Sequence, residues 1–210
     1  MKEPDVTLTD YALALECAVF CVLLLRGGPW TQSLRRWWTF FFASIGTAAL
    51  IGGTVHGFLP GNAVLWTATL LTLGATSLAA WMIGAHLLNL PGVRRAAIVL
   101  LVIYVGVVLF VRQEFLVAIA MYLPATLFLL VAMVWTYRAR RERAIGIGIG
   151  GLVLTFVAAA VQQLKVGVHP VYFNHNALYH VIQFAALWMI FIAARRLSWR
   201  DAIDSRDAHT

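Results

Sequence analysis

The chain has 210 residues, of which 61% are hydrophobic and only 12% charged, and its mean hydropathy is +0.82. Those values exclude a soluble domain of this length and indicate a polytopic membrane protein. The formal net charge of +7 therefore reads as a topology signal; no nucleic-acid partner is expected.

The apolar runs are close to the ~20 residues that cross ~30 Å of hydrocarbon, and they lack strict alternation, so they predict helices and not the strands of a barrel. The fold expected is an all-α bundle of seven transmembrane helices, with spans at about 10–25, 37–59, 63–89, 94–111, 115–137, 144–166 and 176–195. Residues 1–196 form that domain, and residues 197–210 are a short polar tail expected to be disordered.

Thr9 or Asp10 is placed to cap the first span. Glu16 follows about two turns in, near 9 Å from the start, and is the only acid read as deep inside a span. A buried carboxylate is either neutral or paired, and a cation, a histidine or Lys165 would serve as partner. Cys17 and Cys21, at i and i+4, read as packing residues and a poor disulfide. A cleaved signal peptide does not fit: Glu3, Asp5 and Asp10 lead the run, Glu16 interrupts it, and no small-x-small site precedes Arg26.

The second span brings Gly52, Gly53, Thr54 and then His56, about 19 residues in, which is about 28 Å along the helix. Leu59-Pro60-Gly61-Asn62 makes a tight connection, and the third span opens with Thr67, Thr69 and Thr72. That span is long and is expected to tilt before Pro91-Gly92 breaks it. Glu114 sits beside Arg112 at the rim of the fifth span, an interfacial pair. Gly146, Gly148, Gly150 and Gly151 lack a preceding strand and a following Lys-Ser/Thr, so they predict close helix packing and not a phosphate cradle. The sixth span ends in Gln162, Gln163 and Lys165. The seventh begins with His175, Asn176, His180 and Gln183. No CxxC or HExxH occurs.

Thirteen of the sixteen Lys and Arg residues fall after spans one, three, five and seven; the other side keeps Lys2, Arg112 and Lys165. The positive-inside rule then places the N-terminus outside and the C-terminus in the cytoplasm, and seven passes supply the parity this requires. A bacterial inner membrane is the expected location, since the chain is compact and has no evident glycosylation sequon.

This orientation gathers His56, His175, Asn176, His180, Gln162 and Glu16 in the outer leaflet. Asn176, His180 and Gln183 share one helical stripe, at i, i+4 and i+7. His175 lies about 140° from His180, so it either precedes the helix and turns inward or faces headgroups beside Tyr172, Phe173 and Tyr179. Imidazoles inside a bilayer need partners, and interhelical hydrogen bonds, a metal or a polar pocket would each supply them.

Seven spans, a histidine late in span two and histidines opening span seven resemble the CREST superfamily of membrane hydrolases, which includes the alkaline ceramidases and the progestin and adipoQ receptors. The resemblance implies a zinc ion held by His56 and His180, with His175 or Asn176 at the remaining position of an HxxxH pair. It implies water-positioning or oxyanion roles for Thr67, Thr69 and Thr72, supporting roles or a cation site for Glu16 and Gln183, and hydrolysis of a lipid amide or ester; calcium is not expected. The sequence departs from that pattern at Gly52, where the superfamily has serine, at Asn176, where it has histidine, and in span three, which lacks an aspartate. Three classes stay open: a zinc-dependent hydrolase acting on an amphiphilic substrate, a non-catalytic protein that binds or senses a lipid or small molecule, and a proton-coupled transporter using Glu16. Membrane lipids are the expected partners in each.

Overall fold

A computed structural model describes residues 1–28, 32–169 and 172–207 of the chain. Among them are seven helices: α1 (Pro4–Arg26), α2 (Ser33–Gly57), α3 (Ala63–Leu87), α4 (Pro91–Phe110), α5 (Phe115–Arg140), α6 (Arg143–Gln163) and α7 (His175–Asp207). All seven are long and apolar enough to cross a membrane, α7 over His175–Trp199, and the chain is an integral membrane protein. Large apolar side chains such as Leu15, Val102, Phe110, Val131 and Trp135 lie exposed on the bundle, a surface suited to lipid and not to water.

Local signals set the helix ends. Pro4 and Pro91 stand in the first turns of α1 and α4, where a missing N–H costs nothing. The Asn62 side chain caps α3 by accepting from Leu65 N at 3.0 Å. The chain leaves α3, α5 and α6 through left-handed residues, Asn89, Arg141 and Lys165. Inside the helices, threonine hydroxyls donate to the carbonyl four residues back, as Thr136 does to Ala132 O at 2.8 Å, so they need no partner in lipid.

Two ends differ from expectation. α1 starts at Pro4, two turns earlier than the predicted cap at Thr9 or Asp10; Glu3 occupies the cap position and makes no side-chain cap bond. The polar opening residues read as a loop because they are charged, yet hydrogen bonds tie them to the bundle. Lys2 N bonds Gly57 O at 3.1 Å, and Asp5 Oδ2 accepts from Asn174 N at 3.1 Å. At the other terminus α7 runs on to Asp207, so most of the expected polar tail continues the helix; residues 208–210 lie outside the described chain.

Six helices close a ring in the order α1, α2, α3, α5, α6, α7, with α7 packing back on α1 and also touching α2. α4 stands outside it, against α3, where the Tyr104 hydroxyl donates to Leu70 O at 2.7 Å. Lipid tails are as apolar as leucine, so such a ring coheres by close packing. Gly148 and Gly151 let α6 meet α7: a Cβ at Gly151 would lie 2.7 Å from Ala186 O. The expectation of a packing role for the glycine run is met here. Phe20, Phe42, Phe191 and Trp38 fill the ring near its arginine-bearing end, Phe20 stacking on Phe191 with centroids 4.3 Å apart. Toward the other end the ring is not filled.

Candidate functional site

That unfilled space is a cavity of about 340 Å³, lined by residues from all six ring helices. His56 ends α2 and His180 lies in the second turn of α7, and both side chains line it. The convergence expected from span order is therefore present. So is the stripe on α7, because Asn176, His180 and Gln183 all face the cavity.

Each imidazole is held by a carboxylate from α1 or its cap. His180 Nε2 lies 3.2 Å from Asp10 Oδ1, and its Nδ1 lies 3.0 Å from Thr9 Oγ1. Asp10 and His180 are 5% and 8% exposed, so solvent hardly screens the pair. His56 Nδ1 sits 2.7 Å from Glu3 Oε2 nearer the surface, with both side chains partly exposed. A carboxylate on Nδ1 fixes the ring and leaves Nε2 as the group that faces other partners. No described group is hydrogen-bonded to that Nε2.

The amides complete the wall. Gln162 Nε2 donates to Asn176 Oδ1 at 3.2 Å. Gln183 Nε2 donates to Thr155 Oγ1 at 3.3 Å, whereas its Oε1 is buried without a partner. Gln183 is 4% exposed, so that orphan acceptor is among the costliest groups at the site. Leu13, Ile45, Leu73 and Ile119 supply an apolar side to the same space.

Several expected residues stand elsewhere. Glu16 does not line the cavity; it is 5% exposed, and neither oxygen has a partner. The acid that meets His180 is Asp10, six residues earlier, which sequence reading had assigned to a helix cap. His175 does not line the cavity either. It opens α7 just after Asn174, whose Oδ1 accepts from Asn176 N at 2.9 Å and Ala177 N at 3.1 Å as an N-cap. Of the three threonines, Thr69 lines the cavity while Thr67 and Thr72 do not. All three donate to carbonyls four residues back, so their protons are committed. Thr76, one heptad beyond Thr69, lines the cavity and donates to Ser44 Oγ at 2.9 Å. Asp10, Glu3, Thr9, Thr76 and Tyr179 were missed. The usable signal was helical spacing, since Trp66, Thr69, Leu73 and Thr76 repeat at i, i+3, i+7 and i+10 along one face.

Residues 6–198 match the model of DUF6962, a family of unknown function. The chain belongs to that family. No curated protein and no solved structure gives a match. For this DUF6962 member the side chains do not suit the zinc site that the resemblance implied. Both ring nitrogens of His180 are engaged within the protein, and the Asn176 amide oxygen is occupied by Gln162. Among the described residues, no three His, Cys, Asp or Glu side chains gather where they could hold one metal ion.

Proposed function

We propose that this protein binds a small amphiphile, or the polar end of a larger one, in the ring cavity through neutral hydrogen-bonding groups. The observation that carries the reading is a roughly 340 Å³ space whose walls divide between polar side chains, among them Asp10, His56, Gln162 and Gln183, and the apolar Leu13, Ile45, Leu73 and Ile119. The volume lies at the low end of the ~300–1,000 Å³ typical of ligand sites, so a headgroup or a compact molecule fits and a whole phospholipid does not. Carboxylates already balance both imidazoles, which favours a hydroxyl- or amide-bearing ligand over a strongly charged one.

Thirteen of sixteen Lys and Arg residues lie at the opposite end of the helices, so the positive-inside rule supports a cavity in the outer leaflet and a cytoplasmic C-terminus.

A hydrolytic reading rests on a different observation, the Glu3–His56 dyad. An imidazole oriented at Nδ1 by a carboxylate can take a proton from water at Nε2 and direct that water at an ester or amide. It requires no metal.

The test is native mass spectrometry of the full chain released from mild detergent, wild type beside Gly52→Leu. A Cβ at Gly52 meets only Asp10 Oδ2, at 3.8 Å, so the leucine enters the cavity. A retained amphiphile lost in the variant supports binding. An identical, ligand-free spectrum for both, with no stabilisation by a panel of short-chain amphiphiles, overturns it. Turnover of short-chain acyl esters and amides, abolished by His56→Ala and independent of chelator, would establish the hydrolytic reading instead.

A further inference from the structure

The arginine end of the bundle carries a second cavity, about 420 Å³, between the end of α1, the start of α2 and the last turns of α7. Three guanidinium groups line it: Arg35, Arg195 and Arg196. Arg35 is 2% exposed and rigidly held, with Nε donating to Gln32 Oε1 at 2.8 Å and Nη1 to Leu24 O at 3.0 Å. Arg196 is fixed by Glu142 Oε2 and lies over the Trp199 ring, with Cζ 5.4 Å from its centroid. Arg195 is exposed. Ser198 also lines the cavity; it is 1% exposed and its Oγ has no partner.

We propose that this cavity binds the phosphate of an anionic phospholipid headgroup. Arginine forks match phosphate oxygens in geometry. Leu23 and Ile192 border the same cavity and offer an apolar wall to the chains attached to that headgroup. Trp199, half exposed beside Arg196, is the residue type that settles at headgroup depth. Basic pockets between transmembrane helices bind such headgroups in general. The site is separate from the ring cavity and does not depend on what that cavity binds.

The experiment measures thermal unfolding of the full chain in neutral detergent with added phosphatidylglycerol, phosphatidylcholine or inorganic phosphate. Phosphatidylglycerol should stabilise the wild type and phosphatidylcholine should not. Arg195→Gln should weaken the apparent affinity for phosphatidylglycerol by roughly tenfold, as the loss of one hydrogen bond to a charged group does. Arg138→Gln, at the same end but outside the cavity, should leave it unchanged. Equal weakening by Arg138→Gln would reduce the effect to general surface charge and overturn the site. Stabilisation by inorganic phosphate equal to that by phosphatidylglycerol would overturn the lipid assignment.

Discussion

Asp10→Leu and His180→Leu, made singly and together, test whether α1 and α7 are joined by the pair at the head of the cavity. The two side chains are 7% and 10% exposed and their atoms lie 3.2 Å apart, so each single change strands a buried polar group. Breaking one side of such a pair costs roughly 3–5 kcal/mol, whereas replacing both partners by apolar residues is often close to neutral. Thr9 Oγ1, 3.0 Å from Nδ1, still holds the ring when Asp10 is lost, so Asp10→Leu should fall at the lower end, about 3 kcal/mol. The double variant should recover most of that loss and cost only about 1 kcal/mol, giving a coupling of about 5 kcal/mol. Reversible unfolding of the purified chain in mixed micelles, followed by tryptophan fluorescence, reads all four proteins. Coupling below about 0.5 kcal/mol would mean the two groups act independently, and the reasoning about the site would fail.

Three further outcomes follow. Asn174→Ala removes the cap that accepts from Asn176 N and Ala177 N, and should cost about 1 kcal/mol in the same unfolding assay. Gly151→Val places a branched side chain against Ala186 O and should destabilise by at least 1–3 kcal/mol, roughly the cost of overpacking, with α6–α7 proximity in a cysteine crosslinking assay reduced. Gln183→Leu deletes a buried orphan acceptor, so the unliganded protein should be as stable as wild type or more so in the unfolding assay.

Much of the fold was legible because a bilayer limits the choices. Apolar runs of one length gave seven helices, and α3 and α4 start and stop within a few residues of expectation because Asn62, Asn89 and Pro91 mark their ends. Span order alone brought His56 and His180 to one end. The start of α1 was illegible, because Asp and Thr before an apolar run look like a cap, and the contacts that make them helical come from far along the chain. The Asp5–Asn174 bond spans 169 residues, and Thr9–His180 spans 171. Helix geometry separates Glu16 from Asp10. Six residues on a helix turn through about 600°, which puts the two acids about 120° apart, so only one of them can face a given cavity. Thr67 fails on the same ground, being about 200° from Thr69, whereas Thr72 is only about 60° from Thr69 and spacing did not exclude it.

The cavity itself calls for a cause, since small residues on facing helices usually draw them together. Ala48, Ala49 and Gly52 on α2 face Ala118 on α5 across it, yet the helices stay apart. The space opens to the surroundings of the bundle, so its walls decide what suits it. Water suits the walls that carry Asp10, His56 and Gln162, but it gains nothing against Leu13, Ile45, Leu73 and Ile119 on the other walls. A molecule with one polar end and one apolar end satisfies both linings at once. The division of the walls, more than the presence of histidines, is what favours an amphiphile as the occupant.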